Sequence, residues 1–485
     1  MDKKQLLEMP GYELSGAIHT KKVSCVEVME TYLDHIAEVN PKVNAIITLL
    51  GNDELMKQAK NCDEDLAAGR DRGWMHGFPH AVKDLAVTAG IPTTMGTPIL
   101  KDNVPTEDEV MVRRIREAGA ILIGKTNTPE FGYGSNTYNK LFGATSNPYD
   151  LSKTSGGSSG GAACSLATRM LPVADGSDYM GSLRNPAGWC NVFGYRPSLQ
   201  CLPGPSGEIF VNNMLTNGPM ARTVADIALL LGTMAGFDAS RPLSKPADPR
   251  LKELTTDNVH QKLKKDVSGI KVAWLGDWDG YLAMENGVLE TCEKTLNSLK
   301  RIGVEVVLIK PFFDPKKFWE EIWLPIRHFS ACTLKPYIDA GNWDLLQPEA
   351  QWEYEGSKKA TVQAVYDAFL NRSAYYAAMM KVYEKFDFLA VPTAQLFAFD
   401  KTIHSPKSIA GREMSTYHKY MEVVTHWTMG GNAIIAAPAG FGGANDMPIG
   451  IQFVAKPGCD FELLQFASAY EAATRFTAER PPVIA

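Results

Sequence analysis

Two serine-rich segments carry the hydroxyl groups best suited to nucleophilic chemistry in this chain. One is GGSSGG at residues 156–161, and the other is SDYMGSLRNP at residues 177–186. The second follows the short run PVAD, so its pattern predicts a strand, a turn of small residues and then a serine. Serine nucleophiles favour such turns because backbone amides there can form an oxyanion hole. No G-x-S-x-G motif is present, and no histidine lies between residues 81 and 259, so the local sequence supplies no histidine base.

A lysine offers another base. The segment GFPHAVKDLAVTAG at residues 77–90 alternates like a strand, which would put Lys83 on one face with Ala81, Leu85 and Val87. Burial in that apolar setting lowers a lysine pKa, as a general base at neutral pH requires. The spacing alone favours a different interpretation, in which Lys83 pairs with Asp84 or another carboxylate. A role of Lys83 as the general base remains the alternative.

A nucleotide-binding loop is the next alternative. Residues 119–126, GAILIGKT, satisfy the G-x-x-x-x-G-K-[ST] expression. A phosphate-binding loop needs a flexible turn followed by a helix. Here the intervening Ala-Ile-Leu-Ile predicts a buried strand, and a proline follows within TNTPE. The segment therefore argues against phosphate binding.

A metal site is equally poorly supported. His76 and His80 are four residues apart, but Gly77 and Pro79 between them oppose the helix that would align their rings. The other histidines are scattered along the chain. We expect no metal ion and no other cofactor.

Composition limits the partners and the location. The net charge of -6 is spread without long like-charge blocks, which argues against nucleic acid and anionic membranes as partners. The N-terminus lacks the apolar run of a secretory signal, and no stretch approaches the roughly 18 apolar residues of a membrane span. The eight cysteines form no CxxC motif, which is typical of reduced thiols. We expect a soluble, cytoplasmic protein.

Hydrophobic periodicity predicts alternating helices and strands. The principal predictions are a helix over 12–39 closed by Pro41, strands over 77–90, 269–276 and 304–309, and helices near 286–301 and 461–475. Alternation of this kind is typical of an α/β layered fold. Without a linker or an internal repeat, a single domain over residues 1–485 is favoured. Its aromatic-rich helical stretch at 317–385 would form a cover over a site.

The motifs together resemble the amidase signature family. The resemblance runs nearly end to end, and its most specific part is a glycine-serine block followed by GS-[hydrophobic]-R-x-P. The matching segments in this chain are GFPHAVKDL, GAILIGKTNTPEFGYG, FGATSNPYDLSKTSGGSSGG, GSDYMGSLRNPAGWCNVFGYRPS, NGPMARTVADIALLL and IIAAPAGFGGANDMPIGIQFVA. The resemblance implies a large mixed β-sheet with helices on both faces.

The resemblance also implies a Ser-cisSer-Lys triad. By motif, the serine of GSLR is the nucleophile Ser182, the first serine of GGSSGG is the bridging Ser158, and the lysine of AVKD is the base Lys83. A cis peptide bond is implied beside Ser158, at its link to Gly157 or at its own.

The remaining implied roles concern the loop before the nucleophile. Backbone N–H groups of Tyr179, Met180, Gly181 and Ser182 would hold the oxyanion. Asp178 and Arg184 match positions that would support this loop structurally.

Three departures from the family pattern bear on loop geometry. Met180 stands where the family usually has a glycine, GYRPS replaces the commoner G-[hydrophobic]-K-P-T, and Gln200 and Cys201 stand where a glycine and a basic residue are usual. Met180 would place an apolar side chain beside the reacting centre and reshape the pocket.

The substrate is expected to be a small, neutral, fairly apolar amide, with carbamates (urethanes) and esters as alternatives. No arginine is obviously placed for a substrate carboxylate. If the stretch 317–385 covers the site, Trp319, Trp323, Ile326 and Cys332 are the candidate pocket residues, although such side chains more often belong to the core.

A second hypothesis is a glutamine-dependent amidotransferase component that works with partner subunits and ATP. Against it, NNMLTNGPM stands where such components carry an S-L-D-Q-type stretch before G-P. A third is a non-catalytic binding protein on the same fold. The sequence leaves the formation of a homodimer open.

Overall fold

The structure is a computed structural model that describes residues 1–205, 207–211 and 213–482. Its strands, in chain order, are β1 (Ile46–Leu49), β2 (Pro79–Lys83), β3 (Ile121–Thr126), β4 (Tyr138–Asn139), β5 (Gly143–Ala144), β6 (Ala174–Asp178), β7 (Phe193–Arg196), β8 (Thr216–Ala221), β9 (Lys271–Trp274), β10 (Glu305–Leu308), β11 (Phe388–Pro392), β12 (Ser408–Ile409), β13 (Arg412–Glu413), β14 (Ala433–Gly442) and β15 (Met447–Ala455).

Helices occupy most of the chain between these strands. They are α1 (Lys3–Glu8), α2 (Gly11–His19), α3 (Cys25–Val43), α4 (Asn52–Ala67), α5 (Val110–Glu117), α6 (Gly160–Ala167), α7 (Arg184–Trp189), α8 (Val224–Met234), α9 (Pro249–Lys252), α10 (Val259–Leu263), α11 (Val288–Arg301), α12 (Pro315–Phe318), α13 (Leu324–Ser330), α14 (Lys335–Asp339), α15 (Pro348–Ser357), α16 (Val362–Val382), α17 (Thr425–Gly430), α18 (Asp460–Thr474) and α19 (Phe476–Glu479). A π-helical stretch, Trp319–Trp323, joins α12 to α13.

An eight-stranded mixed sheet forms the centre of the fold, in the order β10-β9-β11-β15-β14-β7-β8-β6. Strand β9 pairs in parallel with β10 and β11, and the other neighbours are antiparallel. The hairpin of β14 and β15 is nearly all buried and apolar, as strands covered on both faces must be. Helices α7, α11 and α18 pack against it. The prediction of an α/β fold with a large mixed sheet flanked by helices is confirmed.

A smaller sheet brings the lysine to this framework. It has the order β1-β3-β2, with β2 parallel to β3 and β1 antiparallel to it. Strand β2 also packs against β6 of the large sheet. The carboxyl ends of β2 and β6, which carry Lys83 and Asp178, are thereby brought close together.

Several predicted elements are confirmed and two need correction. The predicted helix over 12–39 is two helices, α2 and α3, and α3 continues through Pro41 to Val43. The predicted strand over 77–90 ends at Lys83, because the chain turns there and the Ala86 N–H donates to the Lys83 carbonyl at 2.9 Å. Leu85 and Val87 consequently do not continue the alternation from Lys83.

The stretch at 317–385 is helical, as predicted, and contains α13 to α16. Among the described residues, no helix is both long enough and apolar enough to cross a membrane.

Candidate active site

Lys83 is the last residue of β2 and is 1% exposed. Its backbone N–H donates to the Asp175 carboxylate at 3.2 and 3.3 Å, which fixes the end of the strand. Its Nζ lies 2.8 Å from Ser158 Oγ, 2.8 Å from Ser159 Oγ and 3.1 Å from Ser177 Oγ. The lysine thus ends in a cluster of three serine hydroxyls.

Burial lowers the pKa of Lys83 to about 7, although the negative charges of Asp175 and Asp178 act in the opposite direction. Removal from water disfavours the ammonium more than these carboxylates favour it. Near neutral pH a substantial fraction of Lys83 is therefore the free amine, which can accept a proton.

Ser158 and Ser159 differ in their other contacts. The Ser159 hydroxyl donates to the Ser177 carbonyl at 3.3 Å and accepts the Ser177 N–H at 3.3 Å. Because the Ser159 proton is directed at that carbonyl, Ser158 is the serine whose proton a neutral Lys83 can accept. The Gly157–Ser158 peptide bond is cis.

Ser182 lies in the turn between β6 and α7, as the strand-turn-serine pattern predicts, and is 6% exposed. Its carbonyl accepts the N–H of Ser159 at 3.2 Å, which holds the turn against the segment that carries Ser158. The preceding residue, Gly181, has a φ of 80°. A Cβ there would lie 2.4 Å from Asn185 Oδ1 and 2.7 Å from Val424 Cγ2, so the turn requires glycine at this position.

Asp178 anchors the turn at its start. Arg184 binds its carboxylate with two hydrogen bonds, both of 2.9 Å, and Arg196 lies 3.3 Å from it. The carboxylate also accepts the N–H groups of Gly181 and Leu183 at 3.0 and 3.1 Å. Burial opposes ionisation, but these arginines hold the pKa of Asp178 well below its usual range.

This anchoring changes the expected oxyanion hole. The Gly181 N–H was expected to face the oxyanion, but it donates a hydrogen bond to Asp178 instead. Among the hydrogen bonds of the described residues, none is donated by the N–H groups of Tyr179, Met180 or Ser182.

Tyr179 connects the turn to the helical stretch. Its hydroxyl lies 2.7 Å from Ser330 Oγ at the end of α13, and its ring meets Trp323 edge-on at 5.8 Å. The Arg327 guanidinium lies over the rings of Tyr179 and Tyr133, at 4.9 and 4.8 Å. Glu353 accepts a 2.7 Å hydrogen bond from Arg327, so this buried cation is already paired.

A cavity of about 460 Å³ has the segment that follows Lys83 in its wall. Its lining is mainly apolar and includes Leu85 and Phe131. A Cβ built on Gly132 would lie 2.9 Å from Leu85 Cδ1 and 3.4 Å from Ser158 Oγ. The cavity wall and the serine therefore approach the same glycine, and the volume is typical of small-molecule sites.

The amidase family model matches residues 27–464. The chain is 31% identical to an acylamidase from Rhodococcus erythropolis, over 99% of this chain and 98% of that relative. The chain belongs to the amidase signature family. It is therefore an enzyme of a family that hydrolyses C–N bonds and acts on small-molecule amides.

Two further comparisons come from different branches of the family. The chain is 31% identical to a component of the glutamyl-tRNA(Gln) amidotransferase from Carboxydothermus hydrogenoformans, over 98% of this chain and 99% of that relative. It superposes on the solved structure of a bacterial aryl acylamidase of the amidase signature family with a TM-score of 0.87 and 25% identity, covering 98% of this chain and 99% of that one.

The structure brings together most of the site residues expected from the amidase signature motifs. Lys83 contacts Ser158, and Asp178 binds Arg184. Ser182 is hydrogen-bonded through its carbonyl to Ser159, the residue after Ser158. Asp175, Ser177 and Ser159 were missed by the sequence reasoning. Their positions could have indicated them, because Asp175 and Ser177 lie on β6 just before the nucleophile motif and Ser159 lies in the glycine-serine block.

The four candidate pocket residues lie elsewhere. Trp319, Trp323 and Ile326 are buried in the hydrophobic core, and Cys332 is exposed. The cavity is instead lined, from the same helical stretch, by Thr333, Leu334 and Tyr337. The aromatic side chains were placed in the pocket because a cover was expected, but their large apolar surfaces are buried against the sheet and against one another.

The departures from the family pattern have local explanations. In the nucleophile turn the positive φ is that of Gly181. Met180 has no positive φ, so a methionine fits the backbone there. Gln200 does adopt a positive φ, of 68°, and lines the cavity. Arg196 of GYRPS is one of the two arginines that hold Asp178.

The structure also bears on the phosphate-binding loop and the metal site that were weighed as alternatives. The phosphate-loop match falls on β3, and Lys125 Nζ is buried, donating to the Ala86 carbonyl at 2.6 Å and to Thr88 Oγ1 at 2.8 Å. In the part of the chain that the structure describes, no group of three or more His, Cys, Asp or Glu side chains could hold a metal ion.

Proposed function

We propose that the protein is an amidohydrolase that cleaves neutral, fairly apolar amides through a seryl acyl-enzyme, with carbamates and esters as further substrates. One observation carries the proposal. Lys83, buried and with its pKa lowered to about 7, lies 2.8 Å from Ser158 Oγ. A buried lysine that is partly neutral at pH 7 and contacts a serine hydroxyl is what a general base requires.

The relay begins with proton transfer. Neutral Lys83 takes the Ser158 proton while Ser158 takes that of Ser182, and Ser182 Oγ attacks the substrate carbonyl carbon. The contacts of Ser159 with Ser177 support Ser158 as the bridging residue. The hydrogen bond from the Ser159 N–H to the Ser182 carbonyl holds the nucleophile turn against the segment that carries Ser158.

The oxyanion then forms beside the turn after β6. We assign its stabilisation to the backbone N–H groups of Tyr179, Met180 and Ser182, and not to Gly181, whose N–H is bound to Asp178. A single donor of this kind contributes about 3–4 kcal/mol to lowering the barrier. Asp178 acts as a positioning residue, because its four partners hold the turn in one conformation.

The second half of the reaction reverses the relay. The C–N bond breaks as Ser158 donates its proton to the leaving amine, and Ser182 keeps the acyl group as an ester. Water then attacks this ester, giving its proton to the relay, and the acid leaves as Ser182 regains its proton. Neither half needs an oxidant or a cofactor.

One buried arginine beside the nucleophile turn supports the preference for neutral amides. Arg327, the buried arginine beside Tyr179, is paired with Glu353. A substrate carboxylate would have to compete with that buried ion pair. We also propose that residues 1–485 act as one domain, that the helical stretch 317–385 covers the cavity, and that the enzyme works in the cytoplasm.

A hydrolysis screen tests this function. It includes anilides, primary amides, lactam oligomers, small carbamates and esters, with Ser182→Ala as the blank. We expect turnover of at least one amide class that Ser182→Ala abolishes, and labelling of Ser182 by a fluorophosphonate, detected by intact mass. Near-full hydrolysis by Ser182→Ala or Lys83→Ala would overturn the mechanism.

A role in a glutamine-dependent amidotransferase is the second candidate, favoured by the 31% identity to a component of such an enzyme. It predicts that glutamine hydrolysis depends on added partner subunits and ATP. Turnover of apolar amides by the isolated chain without ATP argues for the first candidate.

A further inference from the structure

One carboxyl group lies in the wall of the otherwise mainly apolar cavity. Glu109 is the residue immediately before α5, and it is 5% exposed. Its neighbours in the cavity lining include Val87, Met95 and Leu202. A carboxyl group in such a position is unusual, because acidic side chains are almost never fully buried unless they are paired.

The partners of Glu109 in the protein are neutral. Its Oε1 accepts a 2.8 Å hydrogen bond from Asn217 Nδ2, and its Oε2 accepts a 3.3 Å hydrogen bond from the Val87 N–H. No ion pair of Glu109 is found among the described residues. Two carboxylate oxygens offer about four acceptor positions, so these two donors leave acceptor capacity directed at the surroundings.

The two partners also locate Glu109 relative to the relay. Val87 follows Lys83 by four residues, beyond the turn that ends β2. Asn217 on β8 lies opposite Ser177 on β6, and Ser177 contacts Lys83 Nζ. The carboxyl group is therefore bound to the segment that follows the catalytic lysine and to the strand that pairs with β6, and it also lines the cavity.

We propose that Glu109 is a specificity-determining residue that accepts a hydrogen bond from a neutral donor, a hydroxyl or an amide N–H, at the distal end of an otherwise apolar substrate. This inference rests on the proposed amidase function and specifies its substrate class. The apolar lining takes the body of the substrate, and Glu109 selects among molecules with the same apolar body by their terminal group.

The surroundings favour a neutral donor over an ammonium group. Burial raises the pKa of Glu109 to about 7, although Asn217, the Val87 N–H and Lys125 act in the opposite direction. Near neutral pH the group is thus partly protonated, and a cation would have to be desolvated for an incomplete countercharge. A carboxyl oxygen accepts a hydroxyl or amide proton in either ionisation state.

The other charged residues that line the cavity have contacts of their own. Arg241 donates to the Gly204 and Ser240 carbonyls, at 3.0 and 2.9 Å. Glu208 accepts the N–H groups of Phe210 and Val211. Glu109 differs from both in being almost completely buried.

The test compares substrates that differ only in their terminal group. Amides ending in methyl, hydroxymethyl and aminomethyl are made with the variable chain either in the acyl half or in the amine half. We expect one half to show a preference in kcat/KM for hydroxymethyl over methyl of about 10- to 100-fold, the usual range for a hydrogen bond to a charged or ionisable group. Glu109→Ala should reduce this preference below about 3-fold, since the acceptor is gone.

Two variants make the result specific. Glu107→Ala removes an exposed carboxylate two residues earlier, and should leave the preference unchanged. Glu109→Met, of similar volume to glutamate, gives the same readout if the alanine variant fails to fold. The proposal is overturned if the parent shows no preference in either half, if the preference survives in both Glu109 variants, or if the ammonium-ended amide is the best substrate.

A binding measurement separates this inference from the proposed function. The hydroxymethyl- and methyl-ended amides are titrated into Ser182→Ala by calorimetry, which needs no turnover. Tighter binding of the hydroxymethyl amide that is lost in the Ser182→Ala, Glu109→Ala double variant supports the role of Glu109 even if hydrolysis fails. Equal affinities, together with Ser182-dependent hydrolysis, would refute the role of Glu109 and leave the amidase function standing.

Discussion

The Nζ of Lys83 lies 2.8 Å from the Oγ of Ser158, at the end of a strand where the lysine is 1% exposed. The backbone N–H of the same lysine is held by Asp175. The strand end therefore sets the position of the amine, and its burial sets the protonation state. Both properties can be tested separately.

The rate should follow the ionisation of Lys83. Since the neutral amine is the active form and burial lowers the pKa of Lys83 to about 7, kcat/KM should rise with pH and level off above this value. Lys83→Ala should lower kcat by about 10²- to 10⁴-fold. Stopped assays from pH 5 to 9 measure the profile, and a rate that does not change across this range would contradict the assignment.

The carboxyl group in the cavity wall needs a control in this experiment. The pKa of Glu109 is also raised by burial to about 7, so it titrates in the same range. The profile is therefore repeated in Glu109→Gln. The rising limb should persist in this variant if it reports Lys83.

Stability should show the cost of burying this lysine. The pKa of Lys83 is lower in the folded state than the value of about 10.4 in an unfolded chain, so the unfolded state binds more protons between these values and stability rises with pH there. Below pH 7 the full cost is present. Lys83→Met should therefore raise the melting temperature more at pH 6 than at pH 9, as measured by differential scanning fluorimetry.

The control for this experiment is an exposed lysine. Lys60 lies on the surface of α4, 3.9 Å from Glu64, and Lys60→Met removes a solvated charge. Its effect on the melting temperature should be small at both pH values. An equal increase in melting temperature for Lys83→Met at pH 6 and pH 9 would contradict a lowered pKa of Lys83 in the folded protein.

Much of the fold follows from local patterns, and the exceptions arise from distant contacts. The hydrophobic runs of β9, β11 and β15 predict buried strands because they are short, apolar and bounded by turn residues. The end of β2 could not be predicted in this way. The alternation continues past Lys83, but the chain turns there, and the buried Asp84 carboxylate accepts the N–H of Thr94, ten residues away.

The site divides along the same line. The strand-turn-serine pattern around Ser182 is local, and the structure has it where the sequence indicates. The choice between Ser158 and Ser159 depends on contacts with Ser177 across two segments, and spacing alone leaves it open. The cavity is lined by loops distant in sequence, whereas the aromatic residues singled out for a pocket fill the core.

Gly181 should tolerate no side chain. Its φ of 80° disfavours other residues, and a Cβ would lie 2.4 Å from Asn185 Oδ1. Gly181→Ala should lower stability by about 1–3 kcal/mol and displace the amides beside Ser182. We expect kcat to fall more than 10-fold, the loss expected when an oxyanion donor is displaced by a fraction of its hydrogen-bond length. Amide hydrolysis and denaturant unfolding measure the two effects.

Gly16 provides the matched control. It lies inside α2 with no atom within 4 Å of a built Cβ. Gly16→Ala should be neutral or stabilise the protein by up to about 1 kcal/mol, because alanine is the better helix former. Full activity in Gly181→Ala would show that the turn can rearrange without affecting the reaction.

Gln200 should accept glycine at little or no cost. Its φ is 68°, a conformation that costs a residue with a Cβ on the order of 1 kcal/mol or more, whereas glycine adopts it freely. Glycine also increases the conformational freedom of the unfolded chain, by about 0.4–1 kcal/mol. The two effects nearly offset each other, so Gln200→Gly should change the free energy of unfolding by less than about 1 kcal/mol.

Gln58→Gly, in the middle of α4, should destabilise by about 1 kcal/mol because no such backbone strain is relieved there. Urea unfolding of the two variants, side by side, measures the difference. A loss in Gln200→Gly as large as that in Gln58→Gly would contradict the left-handed backbone at residue 200.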